Sequence, residues 1–433
     1  MKLIKLLSLS LVFCVLLSVF SFAADIEINA KAALLIEPKT GQVLYSKDVD
    51  EKLYPASITK LMTALIIAEE HSDLSEIVTV TDSSLENLSA AGSTVGLKAG
   101  EEISVDNLLI CLLVASANEA ANILGEYNAG TVDAFIEKMN KRAETLGLKN
   151  THFVNAHGLH DDDHYTCASD VAIIAREAMK NARLKEIVAM QKANIPATNL
   201  SDERIFFNTN SMLSPYKERT YFYKYTTGIK TGHTTPAGLC LVASATKNNL
   251  SLISVVLGAS TDSENKKGHF VETTKLFKWA FDTYQEKSIL NKSTPVAEIK
   301  VRLASDRDHV IAAPKDNFTA LVPRDFDEEK LEIIPSVPDV MDAPIAAGDK
   351  LGIARLVYDG KELGEVDVVA TEDVDRSFFL YVWDLITGLF ESLIGKIVLI
   401  LLGAFLIFYF FFIVRFNHRR RNSRRYRGSR RRR

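Results

Sequence analysis

Apolar and polar positions alternate with two different periods along the chain, and the change from one to the other sketches the fold. Residues 33–36 are apolar and a turn at Pro38-Lys39-Thr40-Gly41 leads into Val43-Leu44-Tyr45, which predicts a β-hairpin. Residues 61–70, Leu-Met-Thr-Ala-Leu-Ile-Ile-Ala-Glu-Glu, read as a buried helix entered through Pro55 and Ser57. Helical spacing then recurs near residues 106–114, 118–127, 132–146 and 169–181. Strands are expected to return only after Tyr221. Residues 238–246 and 250–258 form two β-rich runs joined at Lys247-Asn248-Asn249, and a helix near 271–284 follows. Strands, then helices, then strands and a helix describe an antiparallel sheet with helices packed on it, an α+β class.

From about Lys287 the pattern changes to short alternating runs at 296–301, 318–322, 351–358 and 364–370, with Asp359-Gly360 as a hairpin turn. A small all-β domain over 286–372 is therefore expected behind a main domain over 24–285. Two apolar stretches flank them. Residues 1–23 carry Lys2 and Lys5, then an apolar run closing on Ser21-Phe22-Ala23, the form of a secretory signal peptide that takes Cys14 with it. Residues 397–414 hold only apolar residues, Tyr and one Gly, enough for a transmembrane helix. The segment 378–395 before it is interrupted by Asp384, Thr387, Glu391 and Ser392 at helical spacing. It reads as an amphipathic helix lying in the interface with Trp383 as anchor, or else as an extension of the spanning helix.

Charge sharpens this topology. Residues 415–433 contain eleven arginines and no acidic residue. By the positive-inside rule this tail stays cytoplasmic, in contact with anionic lipid rather than nucleic acid. With those eleven charges removed from a total of −4, the rest of the chain stands at −15. The expected protein is an acidic exported body tethered to the cell membrane by its C-terminus. Cys111, Cys167 and Cys240 are too few and too scattered for a disulfide framework and read as buried or free thiols, with a Cys167–Cys240 bridge left open.

Candidate chemistry begins at Ser57-Ile58-Thr59-Lys60, because residues three apart on a helix share a face and bring an amine over a hydroxyl. Ser116-Ala117-Asn118 interrupts two apolar helical runs, so its side chains either cap backbone or point into a polar cleft. Lys230-Thr231-Gly232 falls on a strand before the second hairpin, where a cation, a hydroxyl and a glycine suit an anionic substrate laid down as an added strand. The run His157-Gly158-Leu159-His160-Asp161-Asp162-Asp163-His164 holds metal-ligating residue types but reads as a solvated loop, its His157-Gly158-Leu159 part shaping the loop that borders the site.

Together the Ser-x-x-Lys, Ser-x-Asn and Lys-Thr-Gly triplets occur in the order found in penicillin-interacting serine enzymes. With Thr40-Gly41-Gln42-Val43-Leu44-Tyr45, Gly92-Ser93-Thr94, His157-Gly158-Leu159 and residues 237–245, the chain from 32 to 370 resembles the low-molecular-mass penicillin-binding proteins, the serine-type D-alanyl-D-alanine carboxypeptidases. The resemblance implies a β-lactamase/transpeptidase-like catalytic domain, Ser57 as nucleophile, Lys60 as general base and Ser116 as proton relay. It implies that Asn118 holds the substrate amide and Thr231 its carboxylate, beside Lys230 and Gly232. The N–H groups of Ser57 and His233 would form an oxyanion hole. Peptidoglycan stems ending in D-Ala-D-Ala would be the substrates and β-lactams the inhibitors, with no metal and no cofactor. The family arginine expected after the 250–258 strand is replaced by Asp262-Ser263-Glu264-Asn265-Lys266-Lys267, so either a lysine takes its place or carboxylate recognition is weaker. No Glu-x-x-Leu-Asn loop of the class A β-lactamases is present between Ser116 and Lys230. Endopeptidase action on cross-links, or a weakly catalytic sensing role, are the alternatives.

Overall fold

A computed structural model describes residues 26–429, except 87, 89–91, 262, 263 and 265. The signal segment with Cys14 and the last four arginines lie outside the described residues. The chain forms two units, residues 1–286 with 321–326, and residues 287–320 with 327–433.

The first unit is built on an antiparallel sheet. Its hairpin strands β1 (Ala32–Ile36) and β2 (Val43–Lys47) are the first in the chain. The short pairs β3 (Ile77–Thr79) with β4 (Glu102–Ser104) and β5 (Lys192–Ile195) with β6 (Arg204–Phe207) form two small ladders of their own. Then come β7 (Thr226–Thr234), β8 (Gly238–Lys247) and β9 (Leu250–Ala259), giving the five-strand order β2-β1-β9-β8-β7. Strands therefore appear earlier than expected. The β5–β6 pair is hard to read from sequence because each strand is only four residues long and, although β5 alternates, β6 has no buried side.

Period-2 alternation sets the two faces of the main sheet. Leu34, Ile36, Val242, Val255 and Leu257 belong to the core beneath the helices; Ala33, Leu35, Leu241, Ala243 and Val256 face a second core with Phe270, Phe277 and Phe281. The helices are α1 (Lys60–Glu70), α2 (Val105–Ile110), α3 (Asn118–Ala129), α4 (Val132–Thr145), α5 (Ala168–Ala178), α6 (Ala182–Ala189) and α7 (Gly268–Thr283). Helix α1 is buried over its first eight residues, all round rather than on one stripe, so it is the central helix of the first core. The β8–β9 turn uses only Asn248 and Asn249, both at positive φ (51° and 67°), the two-residue geometry that asparagine tolerates.

The second unit holds β11 (Ala297–Arg302), β12 (His309–Pro314), β14 (Leu331–Ser336), β15 (Val340–Asp342), β16 (Lys350–Tyr358) and β17 (Lys361–Ala370); β10 (Tyr284–Leu290) and β13 (Phe318–Pro323) lie where the chain passes between units. Its six-stranded sheet closes on Ile299, Val310, Ala312, Leu351, Ala354 and Val368. Two helices follow, α8 (Phe378–Glu391) and α9 (Leu393–Ser429). Ser392, extended at ψ 152°, separates them, so residues 378–391 of the predicted stretch form a helix of their own while 393–395 begin the next. Leu393–Phe416 within α9 is long and apolar enough to cross a membrane, and nearly all of its side chains are exposed.

Candidate active site

The turn that carries the nucleophile candidate is tighter than a helix start. Ala56–Thr59 form a single 3-10 turn, and Lys60 begins α1 directly behind it. Ser57 is therefore not an N-cap. Ala56, immediately before it, takes a left-handed conformation (φ 49°), which costs a residue with a Cβ about 1–2 kcal/mol. The surrounding contacts must hold it there. Gly232 on β7 lies against the same turn: a Cβ at that position would sit 2.9 Å from Pro55 O and 3.2 Å from Ser57 N. The glycine thus serves close approach between β7 and the nucleophile turn.

Lys60 is fully buried, and its Nζ lies 2.9 Å from Ser57 Oγ, 2.7 Å from Asn118 Oδ1 and 2.7 Å from His157 O. Burial, and then the neighbouring Lys230, pushes its pKa well below that of a free lysine, with Glu119 opposing. A neutral amine has two N–H groups and one lone pair. Asn118 Oδ1 and His157 O can only accept, so in the neutral form they take both N–H groups and the lone pair faces the Ser57 hydroxyl. Asn118 thus contacts the Lys60 amine as well as the cleft.

Ser116 sits in a left-handed turn (φ 65°) at the end of the wide helical turn Cys111–Ala115, and Ala117 rather than Ser116 precedes α3. Neither Ser116 nor Asn118 caps backbone; Ser116 Oγ accepts from the buried Lys230 Nζ at 2.9 Å. Burial, together with the charge of Lys217, lowers the Lys230 pKa to about 7. On the edge strand β7, Thr231 Oγ1 donates to Thr209 Oγ1 at 2.7 Å.

Ser57, Ser116, Asn118, Thr231, Gly232 and His233 all line one cleft of about 680 Å³. Lys60 and Lys230 lie beneath it, so the structure brings together all eight residues that the three triplets and their flank single out. Sequence reasoning missed Thr209, Glu119 and His269. Buried Glu119 accepts from Thr94 Oγ1 (2.6 Å), Val95 N (2.7 Å) and Gly96 N (3.1 Å), tying the loop after Gly92 and Ser93 to α3. His269 lines the cleft, and burial with the nearby Lys267 lowers its pKa to about 3, so it is neutral. Of the two lysines after the acidic stretch, Lys267 lines the cleft and pairs with Glu218 at 2.8 and 3.0 Å, while Lys266 pairs with Glu264. Asp262, Ser263 and Asn265 lie outside the described residues.

The reading of the run after His157 changes in part. It is not a solvated loop throughout, since His157, Gly158 and His164 are buried; within 157–164 the exposed residues are His160, Asp161, Asp162 and Asp163. Cys111, Cys167 and Cys240 are all buried free thiols, and there is no Cys167–Cys240 bridge.

A hydroxyl paired with a buried amine, a second buried amine one serine away, and an edge strand beside them are the elements of a serine acyl-transfer site. The D-alanyl-D-alanine carboxypeptidase model of the peptidase S11 family matches residues 19–261, and the penicillin-binding protein 5 C-terminal domain model matches residues 284–376. The D-alanyl-D-alanine carboxypeptidase DacF of Bacillus subtilis (strain 168) is 35% identical over 81% of this chain and 87% of its own length. DacA of Haemophilus influenzae is 30% identical over 86% and 94%. Among solved structures, penicillin binding protein 5 from Haemophilus influenzae aligns at a TM-score of 0.66 with 28% identity, covering 82% of this chain and all of that one. PBP3 from Streptococcus pneumoniae aligns at 0.67 with 26% identity, covering 81% and 100%. The chain belongs to the peptidase S11 family of low-molecular-mass penicillin-binding proteins, and is a serine-type D-alanyl-D-alanine carboxypeptidase.

Proposed function

We propose that this enzyme removes the terminal D-alanine from pentapeptide stems of peptidoglycan through an acyl-enzyme on Ser57, working on the extracytoplasmic side of a membrane crossed by α9. The observation that carries the reading is the Lys60 amine, 2.9 Å from Ser57 Oγ and desolvated, with both its N–H groups taken by obligatory acceptors.

The steps follow from the positions. Lys60 accepts the Ser57 proton as Oγ attacks the carbonyl carbon of the D-Ala-D-Ala bond. Negative charge then develops on the carbonyl oxygen, where the N–H groups of Ser57 and His233 would receive it, the interaction that usually contributes most to such a rate. The leaving amine needs a proton: Ser116, bonded to Lys230, delivers its own and is restored by the proton that Lys60 took from Ser57, which returns Lys60 to its starting state. The peptide lies along β7 as an added strand, its amide held by Asn118 and its terminal carboxylate by Thr231, whose hydroxyl exchanges Thr209 for the ligand. Water then releases the shortened stem. A penicillin enters as the same acyl donor but leaves more slowly.

The cluster of arginines after Val414 supports the assigned orientation, since positive flanks remain cytoplasmic. The test is labelling of the detergent-solubilised chain by a fluorescent penicillin, alongside D-alanine release from a pentapeptide ending in D-Ala-D-Ala. Both should be present in the wild type and lost in Ser57→Ala. Labelling without release, dependent on Ser57, would refute the carboxypeptidase step while keeping the nucleophile.

A further inference from the structure

Behind the nucleophile turn runs a buried hydrogen-bond chain that no catalytic step uses. Ala56 O, from the left-handed residue before Ser57, accepts from Thr59 Oγ1 at 2.9 Å. Thr59 Oγ1 in turn lies 2.8 Å from His164 Nε2, and both residues are only 2% exposed. His164 Nδ1 accepts from the backbone N–H of Val154 at 3.1 Å.

These partners fix every proton in the chain. A ring nitrogen that receives an amide N–H must present its lone pair, so Nδ1 is bare and the hydrogen is on Nε2. Nε2–H therefore donates to Thr59 Oγ1, and the Thr59 hydroxyl proton has Ala56 O as its acceptor. The order of donors runs one way, from the Val154 amide to the Ala56 carbonyl. Burial lowers the His164 pKa to about 4, against the attraction of Asp161 and with His152 and His160 adding to the shift, so the ring is neutral at ordinary pH.

The same loop grips the turn at two further points. Gly158 (φ 85°) is packed so closely that a Cβ would lie 1.9 Å from Ala56 O and 2.8 Å from Thr59 Oγ1. His157 O accepts from Lys60 Nζ. One loop thus contacts the carbonyl that sets the Ser57 backbone and the amine that Ser57 must reach.

We propose that His164 is a positioning residue for the nucleophile: through Thr59 it locks the Ala56 peptide in its left-handed turn and so aims Ser57 Oγ at Lys60. This rests on the catalytic reading above and adds to it a group that touches neither substrate nor reacting atoms. Misplacing a reacting group by an ångström costs about 10²-fold in rate, which sets the scale of the expected effect.

The experiment measures acylation of the full-length, detergent-solubilised chain by a fluorescent penicillin, separating limiting rate from apparent affinity, with the thermal midpoint followed in parallel. H164L and T59V should each lower the limiting rate about 10- to 100-fold at unchanged apparent affinity. The double variant should be no slower than either, because both act through one chain. H164Q, whose amide N–H can occupy the place of Nε2–H, should stay within about fivefold of wild type, while H164N, which cannot reach Thr59, should behave like H164L. Rates of H164L and T59V within twofold of wild type, losses that multiply in the double variant, or losses confined to affinity would each overturn the proposal. Should H164L not fold, the isosteric T59V decides alone by the same criteria. A wild type that takes no label removes the catalytic reading and this inference together; labelling that survives both variants removes this inference only.

Discussion

Replacing Lys230 by methionine should make the first unit more stable at pH 6 and less stable at pH 10.5, while stopping acylation. Lys230 is buried, and its amine, which would titrate at 10.5 when free, is held at about 7. At about 1.4 kcal/mol for each tenfold change in proton affinity, the buried amine costs the folded state about 5 kcal/mol at pH 6. Methionine removes that cost but also loses the hydrogen bonds to Ser116 Oγ and Thr231 O, both 2.9 Å. At about 1–1.5 kcal/mol each, their loss offsets about 3 kcal/mol and leaves a net gain of about 2 kcal/mol at pH 6. The direction of the pH dependence follows from proton counting. Between about pH 7 and 10.5 the unfolded chain holds a proton on Lys230 that the folded chain has released, so wild-type stability rises with pH across this window and is level below it. The variant lacks that rise, so its advantage should shrink above pH 7 and become a deficit of about 3 kcal/mol near pH 10.5. Urea unfolding read by the fluorescence of Trp279, which packs edge-on against Tyr45 in the first unit, measures the difference at pH 6, 8 and 10. A stability difference that does not change with pH, or a variant less stable than wild type at pH 6, would refute the assignment of a depressed Lys230.

Gly232→Ala should slow acylation by at least about tenfold with a smaller effect on stability, because the new Cβ meets Pro55 O and Ser57 N and the turn must shift; stopped-flow labelling with a fluorescent penicillin checks it. Arg204→Met should destabilise the first unit by about 3–5 kcal/mol, since it strands Glu101, whose buried carboxylate Arg204 holds at 2.6 and 2.9 Å. Although burial opposes it, the Arg204, Thr198 and Lys98 hydrogen bonds keep the Glu101 pKa below its ordinary value. In the wild type that contribution is present above the ordinary carboxylate pKa and lost as pH falls through the depressed one, and urea titrations of both proteins below pH 5 should converge.

The three triplets lay in the sequence as short strings of particular residue types, and periodicity made legible the β1–β2 and β8–β9 hairpins, α1, β11, β13, β16 and β17, but not β12, β14 or β15, which are short or half-exposed. Chemistry at the front of the cleft is written in short local strings, Ser57 to Lys60 and Lys230 to Gly232. What holds those strings in place comes from residues far apart in the chain. Asn118 and His157 reach Lys60 across 58 and 97 positions, and His164 reaches Thr59 across 105. No local pattern marks such partners, because a buried histidine with two satisfied nitrogens and one in a solvated loop have the same sequence neighbours. The strained turn at Ala56 was equally invisible, since alanine has no preference for positive φ and adopts it here only because the loop around Gly158 and His164 leaves the Ala56 carbonyl one place to go. The sequence by itself determined the residue types of the candidate site and the longer helices and strands, both being properties of residue type and local period. Only the tertiary structure decided the lowered proton affinity of Lys60 and Lys230 and the aim of Ser57, because these depend on burial and on hydrogen-bond partners that folding alone brings within reach.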